Sequence, residues 1–300
     1  MKILITGGTG FVGTHLSRAC LDAGHEVTVL GTRLRYKGPV DSRLRYVAAD
    51  TTSPGDWQVH VTSADFVFNL AGRSIFQRWN QKYKQQIRDS RILTTRNVVD
   101  ALSETKTPVL ISTSAVGYYG SCGDLELNEQ SPPGQDFLAS LAIDWEAEAS
   151  KGEAKGARVV LARFGIVLGR DGGALAKMIP AFRSFVGGPL GNGRQWFPWI
   201  QIQDLVRALN FLAARTGLKG PFNLCAPHPI TNGQMADALG KALGRPAKMA
   251  VPAFMLKMMM GELGGVLLSS QRTLPARLLA AGFEFRFPQI DKALANLISH

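Results

Sequence analysis

A glycine-rich turn directly after the first hydrophobic run constrains this chain more than any other feature. Residues Lys2–Thr6 (KILIT) are apolar and β-branched, which is typical of a buried strand. Residues Phe11–Ala23 have the spacing of a helix, and the turn Gly7–Gly13 lies between the two. Glycines alone would indicate an ordinary turn. A strand, a glycine-rich turn and a helix in this order favour a dinucleotide-binding turn.

The glycines of this turn have different expected roles. Gly7 permits the tight turn, Gly10 lets the backbone approach a pyrophosphate, and Gly13 lets the helix pack closely on the strand. The helix N-terminus adds free N–H groups and a partial positive charge, both of which favour phosphate. The residues expected to hold the cofactor here also include Thr9, Phe11 and Val12.

Apolar runs and helical stretches alternate along the first 165 residues. The further predicted strands are Glu26–Leu30, Arg43–Val47, Asp65–Leu70, Pro108–Ser112 and Ala157–Arg163. The longer predicted helices are Gln81–Glu104 and Asp136–Lys151. This alternation predicts an α/β protein with a Rossmann doubly wound parallel sheet and helices on both faces.

The pattern loosens after about residue 165, where glycine and proline cluster and the elements become short. We therefore expect a cofactor-binding domain at residues 1–165, to which segments at about 195–225 return. Residues 166–300 are expected to form a smaller, mixed α/β region that binds the substrate. Within it, Met258–Met260 indicate either a core helix or a mobile lid over an apolar substrate.

The end of the second strand indicates the type of cofactor. NAD sites usually place an acidic residue there to bind the ribose 2′-hydroxyl. Leu30–Arg35 (LGTRLR) contains no acid, and Arg33 is suited to charge-assisted hydrogen bonds with a 2′-phosphate. With Thr32 and Arg35 beside it, the segment predicts NADP(H) rather than NAD(H). The alternative for Arg33 is a solvated loop charge.

Charge and composition narrow the class of partner. Lys and Arg number 34 against 23 Asp and Glu, so the net charge of +11 favours anionic small molecules. The basic residues are scattered without a nucleic-acid-binding motif, so no specific nucleic acid is expected. The 3 cysteines and 5 histidines form no metal-ligand pattern, and no apolar run is long enough to span a membrane. The simplest interpretation is a reduced, cytoplasmic protein without a metal.

Several segments together resemble the extended short-chain dehydrogenase/reductases. More closely, the chain resembles the NAD-dependent epimerase/dehydratase-like group that has a C-terminal domain of unknown function. The matching segments are Thr6–Gly13, Asn69–Gly72, Asp89–Arg91, Ser112–Gly120, Trp145–Glu146, Pro189–Gly191, Gln271–Pro275 and Ala281–Phe285. They span nearly the whole chain, and the C-terminal segments are the most specific.

The resemblance implies further cofactor contacts. Asp50 would face the adenine, although a turn residue is equally compatible with the sequence around it. Ser112 and Ser114 would flank the nicotinamide. The remaining implied contacts are Leu70, Ala71 and Gly72 under the ribose and diphosphate, and Arg163, Gly165 and Ile166 on the far side. The resemblance also implies a homodimer formed by the helices at 81–104 and 136–151.

Enzymes of this superfamily use a Tyr and, four residues later, a Lys that lowers the pKa of the phenol. No Tyr of this chain has a Lys at that spacing, and the expected positions hold Leu138 and Ala142. The candidate substitutes are Ser114, Tyr118 and Tyr119, which would favour carbonyl reduction over alcohol oxidation. The chain is therefore expected to be an NADP(H)-binding oxidoreductase or nucleotide-sugar epimerase-like protein. The alternative is a catalytically degenerate NADP(H) sensor or scaffold.

Overall fold

The computed structural model describes residues 1–298, and its centre is a single parallel sheet. The strands are β1 (Lys2–Thr6), β2 (Glu26–Gly31), β3 (Leu44–Ala48), β4 (Phe66–Asn69), β5 (Val109–Ala115), β6 (Glu126–Leu127), β7 (Arg158–Phe164), β8 (Ile166–Leu168), β9 (Trp196–Phe197), β10 (Trp199–Gln201), β11 (Gly220–Leu224), β12 (Ile230–Thr231) and β13 (Arg272–Thr273). Seven of them form the central sheet in the order β11-β7-β5-β4-β1-β2-β3. All neighbouring strands in this sheet are parallel, which confirms the predicted doubly wound α/β class.

Helices cover both faces of this sheet. They are α1 (Phe11–Asp22), α2 (Gln58–Ser63), α3 (Gln81–Asp100), α4 (Phe137–Ser150), α5 (Gly173–Arg183), α6 (Ile202–Ala214), α7 (Asn232–Leu243), α8 (Ala253–Met260), α9 (Glu262–Val266), α10 (Ala276–Ala280) and α11 (Ile290–Ile298). Short 3₁₀ turns follow β5 at Val116–Tyr119 and α4 at Lys151–Lys155.

The alternation of side chains along β1 divides the core into two layers. Ile3 and Ile5 lie in one buried apolar cluster with Leu16 of α1 and Leu209 of α6. Leu4, which points to the opposite face, lies in a second cluster with Val98 of α3. Because successive side chains of a strand point to opposite faces, a fully apolar strand such as KILIT is buried on both sides.

Residues after β7 are divided between the main sheet and smaller pairings. β11 joins the edge of the central sheet beside β7, and α6 packs in the same apolar cluster as α1. β8 pairs with β10, β9 with β12, and β13 with β6. The predicted C-terminal region extends to residue 300, and its last two residues lie outside the described part of the chain.

The core-helix interpretation of the methionine run is wrong. In α8, Phe254, Met258 and Met259 are 69%, 68% and 66% exposed, and only Leu256 is buried. The cause is the composition of this short helix: apolar side chains surround its whole circumference, and the protein contacts only one side of it. The interpretation as a lid stays a prediction.

Over residues 1–298, every helix is too short or too polar to cross a bilayer. In the same residues, no three His, Cys, Asp or Glu side chains are grouped as metal ligands would be.

Candidate functional site

A cleft of about 880 Å³ lies where the central strands end at their carboxyl side. It extends from the glycine turn after β1 to helix α4, and its walls include the ends of β2, β4 and β5 together with one face of α3. The predicted cofactor residues that line it are Gly7, Thr9, Gly10, Phe11, Val12, Gly13, Thr32, Asp50, Leu70, Ala71, Gly72 and Gly165. This is the crevice in which open α/β sheets bind ligands, at the point where the strand order reverses.

The glycine turn is closed too tightly for side chains. Gly7 has a φ of +64°, and a Cβ there would lie 2.9 Å from the backbone of Ala71. A Cβ on Gly13 would lie 2.5 Å from the carbonyl oxygen of Gly7. Helix α1 has no side-chain cap, and the N–H groups of Phe11 and Val12 have no protein acceptor within residues 1–298. Free N–H groups at a helix N-terminus are suited to an anion.

Thr32, at the end of β2, lines the cleft, whereas Arg33 and Arg35 are exposed beside it and do not form its wall. The loop is held by Tyr46, whose hydroxyl donates to the carbonyl oxygens of Gly31 and Arg33. No acidic side chain follows β2 directly, so the place of a ribose-binding carboxylate is occupied by Thr32 and these two arginines.

Asp50 forms a turn and also lies in the wall of the cleft. Its side chain lines the cleft, and its Oδ1 accepts hydrogen bonds from the backbone N–H and the hydroxyl of Thr52, at 3.0 and 2.7 Å. It is therefore a turn residue by its contacts and a cleft residue by its position. Its contact with adenine stays a prediction.

A buried network positions the segment after β4. Thr6 donates to Asn69 Oδ1 at 2.7 Å, and its Oγ1 accepts the N–H groups of Leu70 and Ala71. Asn69 donates in turn to Thr95 at 2.8 Å and to Ser112 at 3.3 Å. Ser112 is therefore buried in this supporting network and does not line the cleft.

A second buried network lies behind Ser114. Ser114 lines the cleft and donates to Glu146 Oε1 at 2.6 Å. Arg163 donates to both oxygens of Glu146 at 2.8 Å, so a bidentate ion pair holds the carboxylate. Arg163 is 3% exposed, and neither it nor Ile166 lines the cleft. Sequence reasoning missed the role of Glu146, because only the motif Trp145–Glu146 marks it.

The two tyrosines after β5 do not line the cleft. Tyr119 is 1% exposed, accepts a hydrogen bond from Arg163 at 2.9 Å and donates to Asn223 Oδ1 at 2.7 Å. Burial raises the pKa of Tyr119 to about 12, although the charge of Arg163 opposes the shift. Tyr118 lies with its ring 3.5 Å from the Arg163 guanidinium. Tyr119 is therefore buried away from the cleft, and the half-buried Tyr118 packs its ring on Arg163.

Helix α4 presents an apolar surface where the resemblance places the catalytic pair. Leu138 and Ala142, which hold the expected Tyr and Lys positions, both line the cleft, together with Leu141 and Trp145. The ionisable side chains of the wall, within the described residues, are Asp50, Arg73, Asp89 and Arg91. The wall therefore lacks a Tyr–Lys pair, and no phenol, amine, imidazole or thiol stands in for it there.

The family model for NAD dependent epimerases and dehydratases matches residues 3–225 of this chain. The chain belongs to that family. A second model, for a domain of unknown function, matches residues 251–297, the segment of α8 to α11.

Curated relatives match over the whole length of this chain. An Arabidopsis thaliana protein named chloroplastic homolog of epimerase family protein SDR39U1 is 41% identical over 99% of this chain and 87% of its own. The Mus musculus epimerase family protein SDR39U1 is 37% identical over 100% of both chains.

Solved structures agree with this family. The human epimerase family protein SDR39U1, whose crystal structure contains NADPH, is 33% identical and superposes with a TM-score of 0.87 over 100% of this chain and 99% of its own. A Thermus thermophilus UDP-glucose 4-epimerase with NAD superposes at 0.78 over 100% of this chain and 98% of its own. Its identity is 18%, so it supports the fold alone.

Proposed function

We propose that this chain binds NADP(H) in the cleft and exchanges hydride there with a small molecule, without the Tyr–Lys pair of the superfamily. One observation supports this most: the cleft is continuous from the glycine turn, with its free N–H groups, to the helix that holds the expected catalytic positions. A dinucleotide placed along it would have its phosphates at the N-terminus of α1 and its nicotinamide beside Ser114 and α4.

NADP(H) is favoured over NAD(H) by the end of β2. Thr32 lines the cleft where an NAD site has a carboxylate, and Arg33 and Arg35 are exposed next to it with no ion-pair partner in residues 1–298. A 2′-phosphate at this position would meet arginine donors and no acidic repulsion. The human relative at 33% identity contains NADPH in its crystal structure, which supports the same cofactor here.

The proposed reaction is reduction of a carbonyl by NADPH. Hydride would pass from the nicotinamide to the carbonyl carbon, and the oxygen would then take a proton. Ser114 donates its own hydrogen to Glu146, and Tyr119 donates to Asn223, so neither hydroxyl hydrogen is directed at the cleft. Tyr118, the third candidate, does not line the cleft, so water supplies the proton. Oxidation of an alcohol needs a base. The carboxylates of the wall, Asp50 and Asp89, already accept hydrogen bonds from Thr52 and Gln85, and no phenol, amine or imidazole lines it, so reduction is the favoured direction.

The second candidate function is an NADP(H)-responsive binding protein. Leu138 and Ala142 favour it, because they give the reacting end of the cleft an apolar surface in place of a proton donor. In this case the reduced or oxidised state of the bound cofactor would change the binding of a partner and no substrate would be turned over.

A single-turnover experiment separates the two functions. NADPH-saturated protein is mixed with methylglyoxal, pyruvate, glyceraldehyde and UDP-glucose in separate reactions, and absorbance of the reduced nicotinamide is followed. Protein-dependent oxidation with any of them supports the oxidoreductase. Tight NADPH binding without oxidation supports the binding protein. Free NADPH with each compound is the background control.

Assembly and location are the remaining parts of the proposal. A homodimer would use the exposed faces of α3 and α4, which an ion pair between Arg88 and Asp144 at 2.6 Å joins within one subunit. A cytoplasmic location is consistent with three free cysteines in the described chain. Light scattering at high concentration tests the dimer: a 32.5 kDa species would contradict it.

A further inference from the structure

Hydrogen bonds to two backbone carbonyl oxygens fix the side chain of Arg91 in the wall of the cleft. Its Nη1 donates to the carbonyl oxygen of Arg73 and to that of Ile87, both at 3.0 Å. The guanidinium also lies over the ring of Trp145, 5.2 Å from its centroid. These contacts hold the guanidinium in one orientation, so binding a ligand would cost little side-chain entropy.

The opposite edge of the same guanidinium has no partner. Neither Nε nor Nη2 donates to any protein group within residues 1–298, and no Asp or Glu there forms an ion pair with Arg91. A Cβ on Gly72 would lie 3.1 Å from Cζ and 3.2 Å from Nη2, so the glycine leaves room over the face of the guanidinium. Neither Nε nor Nη2 is among the buried polar atoms without a partner, so this edge is open to the cleft that Arg91 lines. The Nε–Nη2 edge has the geometry that binds two oxygens of a carboxylate or phosphate.

The charges around this edge are unbalanced. Burial lowers the pKa of Arg91 to about 10, so the guanidinium remains protonated at neutral pH while it lacks a counter-ion. Arg73 also lines the cleft, and its guanidinium lies over the ring of Tyr83, 5.3 Å from its centroid, without a carboxylate partner. Asp89, on the same wall, accepts a hydrogen bond from Gln85 at 2.7 Å. An anion bound here would neutralise the positive charge that Arg91 and Arg73 bring to this part of the cleft.

The position along the cleft assigns this anion to the substrate. The pyrophosphate of the proposed cofactor has the N-terminus of α1, and its 2′-phosphate has the end of β2. Arg91 lies over Trp145, a residue of α4, and it shares the cleft with Leu141 and Ala142 of that helix. This is the end where the nicotinamide would react.

From this geometry we infer that Arg91, assisted by Arg73, binds an anionic group of the molecule that exchanges hydride with the cofactor. The substrate is therefore a carbonyl compound that carries a carboxylate or a phosphate. The inference rests on the proposed function, because it assumes that NADP(H) occupies the rest of the cleft.

The test uses pairs of carbonyl compounds that differ mainly in charge. Pyruvate is compared with methylglyoxal for the carboxylate, and glyceraldehyde 3-phosphate with glyceraldehyde for the phosphate. Each is titrated by calorimetry into protein saturated with NADP+, which fills the cofactor site but has no hydride to transfer. We expect the charged member of at least one pair to bind about tenfold more tightly or better, since charge-assisted hydrogen bonds contribute on that scale. The pair that shows the difference identifies the anion.

Variants of two arginines on α3 test whether Arg91 causes this preference for the charged compound. Arg91→Met removes the charge and should abolish the preference for the charged compound. Arg91→Lys keeps the charge but lacks the Nε–Nη2 edge of the guanidinium, so it should weaken that preference. Arg88→Met is the matched control, because Arg88 pairs with Asp144 and does not line the cleft. It should leave the preference unchanged. An NADPH titration of every variant reports whether the cofactor site is intact.

The possible outcomes separate the inference about Arg91 from the proposed function. Loss of the preference in Arg91→Met with NADPH affinity intact supports the inference. Equal binding of charged and neutral members by the unaltered protein overturns it and leaves the proposed function standing. If Arg91→Met and Arg91→Lys lose NADPH affinity equally, the guanidinium of Arg91 binds the cofactor, and this result also overturns the inference. Failure of the unaltered protein to bind NADPH removes the proposed function and the inference together.

Discussion

At the scale of single residues, the choice of cofactor depends on a few side chains after β2. Thr32 lines the cleft and Arg33 is exposed beside it, with no acid in the segment that follows the strand. An exposed arginine contributes to binding only when the ligand brings a charge to it. NADPH and NADH differ by the 2′-phosphate, so the difference between their affinities measures what Arg33 contributes to binding that phosphate.

Replacing Arg33 by alanine is therefore expected to weaken NADPH binding by about tenfold and to leave NADH binding nearly unchanged. Fluorescence titration with each cofactor measures the two affinities. Arg215→Ala is the control, since Arg215 is exposed at the end of α6 and contacts Phe211. Equal losses for the two cofactors would show that Arg33 does not contact the 2′-phosphate.

The ion pair between Glu146 and Arg163 is the residue-scale feature most important for stability. Glu146→Gln leaves the buried Arg163 without a full counter-charge, and we expect the free energy of unfolding to fall by about 3 kcal/mol or more. Urea unfolding followed by tryptophan fluorescence measures it. Glu148→Gln, two positions along α4, is the comparison: its partners Arg96 and Lys151 are 49% and 61% exposed, so a loss of about 1 kcal/mol or less is expected. Equal losses in the two variants would contradict this account.

At the scale of elements, α4 brings its i and i+4 positions to the same cleft wall. Leu138 and Ala142 line the cleft, with Ser114 across from them on β5. The helix therefore presents, on one wall, the two positions expected for the Tyr–Lys pair, which hold leucine and alanine here. A tyrosine and a lysine introduced at these two positions should therefore face the cleft together.

The double variant Leu138→Tyr and Ala142→Lys should reduce carbonyl compounds at least about tenfold faster than the unaltered protein. A positioned general acid typically contributes at least that much, and the lysine would lower the pKa of the new phenol. Single-turnover oxidation of NADPH by methylglyoxal measures the rate. Leu138→Phe with Ala142→Met has similar volume without the proton-transfer groups. If the two double variants react at the same rate, the nicotinamide does not lie beside α4.

Local periodicity predicted the elements well, because a strand or helix depends on its own side chains. β1 was predicted with the bounds that the structure shows, and α3 and α4 differ from their predictions only at the ends. The sequence could not show that Ser114 bonds Glu146, because 32 residues separate them and only the sheet brings them together. It could not show that Tyr119 points to Asn223, which is 104 residues away.

At the scale of the whole molecule, the C-terminal segment is held to the main domain by buried carboxylates. Asp204 of α6 accepts the backbone N–H groups of Arg286 and Phe287, at 2.9 and 2.8 Å. Glu129 accepts those of Asn223, at 3.0 Å, and Arg277, at 3.3 Å. The bonds to Arg277, Arg286 and Phe287 connect the two segments that the family models match separately, and they were not predictable from either segment alone.

Asp204→Ala should loosen this attachment by leaving two backbone N–H groups without acceptors. We expect a loss of about 1–3 kcal/mol in the free energy of unfolding and faster amide exchange at Arg286 and Phe287. Hydrogen exchange measured by mass spectrometry checks both the site and the extent. Asp291→Ala, an exposed acid in the first turn of α11, is the control. Unchanged exchange in Asp204→Ala would mean that packing alone holds the segment.

The central claim is that the cleft is an NADP(H) site, and titration of the purified protein with NADPH and NADH tests it most directly. Fluorescence of the bound nicotinamide gives both dissociation constants. The account predicts saturable binding of NADPH that is at least about tenfold tighter than binding of NADH. Failure to bind either cofactor, or equal affinity for both, would contradict it.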